Sequence, residues 1–246
     1  LLAHVVQALE EPIADPVTLP TAAVLGALGQ AHRVVLTGDG SDELFGGYAR
    51  YRALLQGDHA GYLGALCAFH PTELPNGAEA PWLPPRAGLA AVMAWEQAGR
   101  LPAYHLVRVD KLSMAASVEA RVPFLRNAIV EAAAQLTDSQ LLTAQSEKLA
   151  LRKAAEGLIP AEILARPKQP FTFPVCRWLQ GPLRSWATDL LLDPRSCIDQ
   201  LVPRPFVQKL ADQLGAGDPA APPRIWSLLQ LDGLGRHYLP RYGRGG

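Results

Sequence analysis

Three carboxylates fall within one short glycine-rich run, Gly38-Asp39-Gly40-Ser41-Asp42-Glu43. Glycines let a backbone approach a ligand closely, and the free N–H groups at a helix start favour an anion. Carboxylates in the same place repel phosphate unless a divalent cation lies between them. The combination predicts a Mg²⁺-bridged polyphosphate site. The competing reading is helix capping, with Ser41 or Asp42 as N-cap and the acidic residues on the positive end of the dipole. The run alone leaves these two in balance. An EF-hand reading fails, because the twelfth position counted from Asp39 is Arg50. A dinucleotide fingerprint fails as well, because Gly38-x-Gly40 lacks its third glycine.

Such a turn needs a strand before it and a helix after it. Arg33-Val34-Val35-Leu36-Thr37 is a short β-branched run that predicts a buried parallel strand. A helical pattern follows through Leu44, Phe45, Tyr48, Tyr51 and Leu55. Upstream, Leu1–Leu9 carries a helical stripe and Glu10–Pro20 reads as an extended connection. Thr21–Ala31 is helical again, with Val24, Leu25 and Leu28 on one face. Helix, strand, glycine-rich turn and helix make one edge of an open α/β sheet, where ligands bind beyond the carboxyl ends of the strands.

Downstream, helix dominates. The proline-rich stretch His70–Gly88 predicts a surface loop. Helical patterns cover Leu89–Ala98 and the stretch through Ile129, Val130 and Ala133, with Tyr104–Val118 between them. Lys148–Leu158 reads as an amphipathic helix stopped by Gly157 and Pro160. Arg166–Phe171 holds two prolines in six residues and cannot be helical. Trp178, Leu183, Trp186 and Leu190–Leu192 form a further apolar set, Arg224–Tyr238 predicts a last helix, and Arg241–Gly246 a frayed end.

Composition removes several functional classes. The chain has 246 residues, 49% hydrophobic and 19% charged, with 23 basic and 23 acidic side chains. At about 150 residues per domain this predicts one large domain or two small ones. A net charge of zero argues against a nucleic-acid coat or scaffold. No apolar run approaches the ~20 residues of a membrane span, and no signal peptide opens the chain, so no membrane partner is expected. Cys67, Cys176 and Cys197 are widely spaced and odd in number, which suits a reducing, cytoplasmic setting better than a disulfide framework or a zinc site. Against 18 Arg there are only five Lys, Lys111, Lys148, Lys153, Lys168 and Lys209, so a retained lysine draws notice. Leu1 opens the sequence without an initiator Met, and a piece of a longer protein is expected.

Leu36-Thr37-Gly38-Asp39-Gly40-Ser41-Asp42-Glu43-Leu44-Phe45-Gly46-Gly47-Tyr48 resembles the synthetase-domain signature of glutamine-hydrolysing asparagine synthetases, L-S-G-D/E-G-G/S-D-E-L/V-F-G-G-Y. Leu106–Ala115 is similar to the family's K-x-D-R-x-S-M-A stretch, and Val118–Leu125 to L-E-x-R-x-P-F-L. Leu158–Phe171 is similar to G-L-I/L-P-x-E-I/L-x-x-R-P-K-x-G-F, and Ile225–Leu231 to the W-x-L-L-x-L closing helix. The blocks occur in order along the whole chain, yet they belong to the later part of that family's architecture.

The resemblance implies a helix-rich α/β fold. Residues 1–246 would be a partial synthetase domain, the later portion of an adenine-nucleotide alpha-hydrolase-like (PP-loop ATP pyrophosphatase) parallel-sheet domain whose first strands are missing. It implies a ligase that splits ATP to AMP and pyrophosphate, turns the aspartate side-chain carboxylate into an acyl-adenylate, and lets ammonia attack it. On this pattern Thr37, Gly38, Gly40 and Ser41 bind ATP, and Asp39 matches the acidic position that serves adenylate formation and the proton of the amine. Asp42 holds Mg²⁺ on pyrophosphate, with Glu43 in support. Lys168 stabilises charge on the phosphoryl and acyl oxygens; without the resemblance, a lysine in that proline-flanked loop reads as a solvated one. Glu119 lies near the place where, in β-lactam-forming relatives, a glutamate partners a tyrosine as base. Its rival reading is an interior ion-pair set with Asp110 and Arg121. Tyr48, Phe45, Trp178 and Trp186 read as packing, and none of the six histidines draws a role.

Two residues depart from the family pattern. Arg126 replaces the Asp after P-F-L, and Pro170 replaces the Gly before Phe171. Nothing in Leu1–Arg33 resembles the family's S-G-G-x-D-S phosphate loop, and the cysteine glutaminase domain that supplies ammonia is not in this sequence. The expectation is therefore a chain inactive by itself, with an aspartate-like carboxylate acceptor and a homodimer left open. The alternatives are a sibling ligase (a sugar or peptide amidotransferase, a β-lactam or lasso-peptide cyclase) and a split or non-catalytic nucleotide-binding subunit. The acidic Asp39 favours an ammonia-using enzyme.

Overall fold

A computed structural model describes residues 1–66, 68–69 and 84–242, with side chains described through residue 238. Most of the His70–Gly88 stretch, Cys67 and residues 243–246 of the expected frayed end lie outside the described residues. The chain opens with helix α1 (Leu2–Leu9), which buries Val5, Val6 and Leu9 on one stripe. Helix α2 (Thr18–Leu28) begins before its apolar pattern does, because Asp15 organises the entry turn. Its Oδ1 accepts from Val17 N at 3.0 Å and its carbonyl from Thr18 Oγ1 at 2.8 Å. Pro20 sits in the first turn, where its missing N–H costs nothing. Leu25 is buried on α2, but Val24 points outward and is 51% exposed.

Strand β1 (Val34–Leu36) pairs in parallel with β2 (Glu119–Arg121), Val35 lying opposite Ala120. This confirms a parallel strand and corrects its expected burial. Val35 packs against the cluster of Val5, Leu9, Ile13, Leu25 and Leu112. Alternation turns Val34 and Leu36 to the other face, where they are 44% and 72% exposed. The sheet has two strands among the described residues, and no second layer there covers that face.

The turn after β1 leads into α3 (Ser41–Phe45), α4 (Tyr51–Leu55) and α5 (His59–Leu66). A continuous helical run then passes through α6 (Leu89–Trp95), a π-helical stretch Glu96–Leu106 and α7 (Val107–Ala115). The sequence pattern reads as a helix over Leu89–Ala98 alone there. Pro102 cannot donate to the usual α-helical acceptor, and the backbone passes it in the wider π register. Tyr51, Leu54, Tyr62, Leu89, Val92 and Met93 form the core around this run, with Leu141 and Leu142.

After β2 come a 3₁₀ turn Pro123–Leu125, α8 (Asn127–Ala133) and α9 (Asp138–Leu141). Then α10 (Leu149–Ala154) and α11 (Ala161–Ala165) follow, joined to the next helix by an extended segment through Arg166–Phe171. The reading of Lys148–Leu158 as an amphipathic helix is corrected in extent, while Leu149 and Leu151 are half-buried and Lys153 and Glu156 exposed. The helix stops at Ala154, buries no side chain, and leaves Leu158 exposed beyond it.

A helical layer closes the chain: α12 (Val175–Gln180), α13 (Arg184–Leu192), a 3₁₀ turn Cys197–Gln200, α14 (Arg204–Gly215) and α15 (Ala221–Tyr242). Its core is built from Leu179, Ala187, Leu191, Ile198, Val207, Leu210, Ile225 and Leu229. Trp178 and Trp186, read as packing, are 37% and 42% exposed because Leu179 and Ala187 take the inward positions beside them, yet Trp178 packs edge-on against Phe173 with ring centroids 4.6 Å apart. The fold is helix-rich α/β with a small parallel sheet. Among the described residues no helix is long and apolar enough to cross a membrane.

Candidate active site

The glycine-rich turn does not cap its helix with a side chain. Gly40 is the N-cap of α3, at φ 85°, and no side-chain hydrogen bond caps the helix. That left-handed conformation favours glycine, and a Cβ there would also run into the Leu125 side chain. The capping role read for Ser41 or Asp42 is thereby overturned, and both side chains are free for other partners. Ser41 Oγ accepts from Lys148 Nζ at 2.8 Å. Asp42 Oδ1 receives Lys148 Nζ at 3.1 Å and also Lys168 Nζ, which donates in addition to the Gly47 carbonyl. Gly47 permits this convergence: a Cβ there would overlap both the Asp42 carboxylate and the Lys148 stem.

Asp42 and the two lysines lie on a cleft of roughly 840 Å³. Gly38, Asp39, Gly40, Asp42, Glu43 and Lys168 all line it, although Lys168 is 126 positions from Asp42. The extended Arg166–Phe171 segment brings Lys168 there, and Pro170 lines the cleft beside it. Thr37, Ser41 and Glu119 are not on the lining. Thr37 continues the ladder, its N–H donating to Arg121 O at 2.9 Å, while its buried hydroxyl has no hydrogen-bond partner.

Glu119 and Arg121 occupy exposed positions on β2 and pair with each other at 3.0 Å. Asp110 is exposed on α7. An interior ion-pair set is therefore corrected: the strand alternation turns both β2 side chains outward.

Glu43 differs from its neighbour Asp42. It is buried, accepts from Tyr48 Oη at 2.5 Å, and stands 3.5 Å from His105 Nε2. Burial pushes its carboxyl above the usual range, against the lowering effect of the Tyr48 hydrogen bond. Among the described residues no three His, Cys, Asp or Glu side chains converge as a metal cage. A Mg²⁺ bound by one or two carboxylates together with phosphate oxygens and water needs no such cage. Asp42, at the cleft surface, fits that donor set better than the buried, hydroxyl-bonded Glu43.

Five further residues belong to the site. Lys148 is one, and its retention in an arginine-rich sequence was the available signal. Arg108 pairs with Asp15 at 2.5 Å and approaches Asp39 at 3.7 Å, and all three line the cleft. Nothing in the connection Glu10–Pro20 marked Asp15, which reaches the site only because α2 packs on α7. His105, one of the histidines that draw no role in the sequence, is brought to the site by the fold. It lines the cleft 3.4 Å from Tyr48 Oη. Burial, then the charges of Arg100, Arg108 and Arg50, hold its imidazole neutral, with the pKa pulled down to about 2. Tyr48, read as packing, is likewise a cleft residue.

The family model for asparagine synthase matches residues 1–236. The chain belongs to the asparagine synthase family. Within it, the chain is 28% identical over 287 residues to a candidate glutamine-hydrolyzing asparagine synthetase of Mycobacterium tuberculosis, covering 93% of this chain and 43% of that protein. It is 25% identical over 281 residues to asparagine synthetase (glutamine-hydrolyzing) 1 of Bacillus subtilis, covering 93% and 44% respectively. Asparagine synthetase (glutamine-hydrolyzing) 3 of the same organism is 37% identical over 107 residues, covering 39% of this chain and 17% of the relative. This asparagine synthase family chain thus spans less than half the length of the first two relatives.

Proposed function

We propose that this chain carries the acyl-activating part of an ATP-dependent ligase that converts aspartate to asparagine through an acyl-adenylate, releasing AMP and pyrophosphate. The observation that carries the reading is the meeting of Lys148, Lys168 and Asp42 on one cleft with Asp39 at the same turn. Two ammonium groups on one carboxylate leave an excess positive charge that suits a polyphosphate. Thr37, Gly38, Gly40 and Ser41 shape the turn against which the nucleotide lies. Asp42 would hold Mg²⁺, which when bound would shield the phosphates and help pyrophosphate leave. We assign the domain to the PP-loop ATP pyrophosphatase type, with the remaining phosphate contacts made outside these 246 residues.

In the first step an acceptor carboxylate oxygen bonds to the α-phosphorus and the bond to pyrophosphate breaks. Lys168 is a point cation aimed at the charge that develops on the transferring oxygens. In the second step ammonia bonds to the activated carbonyl carbon and AMP leaves with the electron pair. Asp39 takes the proton that the amine nitrogen sheds, and Arg108, 3.7 Å away, keeps that carboxylate oriented. Glu119 remains a base assignment from the resemblance alone, outside the cleft lining. Ammonia from a glutaminase domain, homodimer formation and a cytoplasmic setting belong to the same proposal.

ATP–pyrophosphate exchange tests it. The complete polypeptide is expected to exchange label in an aspartate-dependent way, and Asp42→Ala and Lys168→Ala to abolish it. Wild-type exchange in both variants removes the site assignment, and exchange with some other carboxylate but not aspartate moves the protein to a sibling ligase. The 246-residue chain alone is expected to be silent.

A further inference from the structure

Beneath the cleft lies a polar cluster that the chemistry above does not use. Glu96, the first residue of the π-helical stretch, is fully buried. Its carboxylate accepts from Arg50 Nη2 at 2.7 and 3.0 Å, from Arg50 Nε at 3.2 Å, from Tyr51 Oη at 2.8 Å, and from Tyr62 Oη. A buried ion pair is tolerable only when its remaining hydrogen-bonding capacity is met, and here both Glu96 oxygens accept from Arg50 and a tyrosine hydroxyl. Apolar side chains would fill the same space, so the pair calls for another explanation.

Arg50 points to one. Its guanidinium carbon lies 3.6 Å from the centroid of the Tyr48 ring, a close cation–π contact on a residue that lines the cleft. Lys168 Nζ lies 5.2 Å from the same centroid. The π-helical stretch steadies this ring's surroundings as well: Gln97 Nε2 donates to the Glu43 carbonyl at 2.9 Å, and His105 stands beside the Tyr48 hydroxyl. We propose that Glu96 is a positioning residue for Lys168. It fixes Arg50, Arg50 fixes the Tyr48 ring, and the ring joins Gly47 O and Asp42 in fixing the Lys168 ammonium. The effect on rate rests on the role proposed above for Lys168; the positioning itself does not.

Two measurements on the complete polypeptide separate these levels. The first is the acetylation rate of each lysine under limiting acetic anhydride, read by mass spectrometry. The second is kcat for ATP–pyrophosphate exchange. In Glu96→Gln, Arg50→Lys and Tyr48→Leu, Lys168 labelling is expected to rise about three- to thirty-fold, the span of a lost cation–π restraint. The exposed Lys153 and Lys209 should stay at wild-type rates. Tyr48→Phe keeps the ring and should keep Lys168 protected. Exchange kcat should fall by a similar factor in the first three variants, with KM for ATP little changed. If Glu96→Gln does not fold, the Tyr48→Leu and Tyr48→Phe pair carries the test. Wild-type Lys168 labelling in Tyr48→Leu overturns the proposal, as does an equal rise at Lys153 and Lys209, which would mean general loosening. Raised labelling with unchanged kcat upholds the positioning and overturns the proposed role of Lys168.

Discussion

Lys148 and Lys168 converge on one atom, Asp42 Oδ1, from two separate segments of the chain. Lys148 precedes α10 in a left-handed conformation at φ 54°, and Lys168 comes from the proline-flanked extended segment. Both side chains are about four-fifths buried, so solvent screens them less than it would on an open surface. The pair places two cations on a single carboxylate, a local positive excess in a cleft whose lining also carries Asp15, Asp39, Glu43 and Glu147.

Lys148→Ala should therefore weaken polyphosphate binding more than folding. Losing a hydrogen bond to a charged group costs ~1.5–3 kcal/mol, which is about a ten- to hundred-fold rise in KM for ATP. Asp42 keeps Lys168 as a partner, so the thermal midpoint should hardly move. Steady-state exchange kinetics at varied ATP check this, and an unchanged KM would remove Lys148 from the site.

Gly47→Ala should damage both folding and activity. The added methyl meets the Asp42 carboxylate and the Lys148 stem, so one of the three groups must move. Overpacking of this kind costs about 1–3 kcal/mol. Urea unfolding and exchange activity should fall together. Gly26→Ala is the control, since Gly26 lies on α2 away from the cleft lining and no atom lies within 4 Å of a Cβ there.

His105 should make the protein acid-sensitive. Its folded pKa is depressed from 6.5 to about 2, so the unfolded chain takes up a proton first as pH falls. The native state's advantage is complete above pH 6.5 and declines progressively below it, towards about 2. Once the unfolded imidazole is charged, the decline is ~1.4 kcal/mol per pH unit for this one group. Urea unfolding at pH 7 and pH 5 measures the slope. His105→Gln should flatten it, and an identical slope in that variant would show that other groups set it. Glu43 acts in the opposite sense: its raised pKa makes acid favour the folded state between its unfolded and folded values.

Asp232→Ala should be among the costliest single changes in the C-terminal helical layer. The carboxylate is fully buried and accepts from Ser196 Oγ at 2.7 Å, Cys197 N at 3.0 Å and Arg236 Nε at 2.5 Å. Removing one partner of such a pair typically costs ~3–5 kcal/mol. The loss should also expose Cys197, whose thiol pKa is pushed up to about 11 by burial and then by the Asp232 hydrogen bond. Alkylation rates of Cys176 and Cys197 report this: Cys197 should react slowly in the wild type and quickly in the variant. A thermal midpoint within a few degrees of wild type would contradict the assignment.

Much of the site was legible in the linear sequence. The strand–turn–helix around Gly38–Glu43 and the non-helical Arg166–Phe171 segment both follow from glycine, proline and β-branched residues at short range. The cap of α3 was not legible, because glycine and a polar side chain can both begin a helix and only the Gly40 torsion decides between them. The burial of β1 was misread for a different reason. A β-branched run shows strand propensity, while the exposure of Val34 and Leu36 depends on what packs above them.

The sequence by itself determined the chemical vocabulary of this protein: carboxylates on a tight glycine turn, and one lysine in a segment too proline-rich to be a helix. Those are local facts, written in torsional freedom and residue type. Tertiary structure decided which charges meet. Asp15 with Arg108, Lys148 with Asp42, and Glu96 with Arg50 are joined across 93, 106 and 46 positions. Such pairs have no local pattern, because charge acts through space and only the packing of the helices sets the distance.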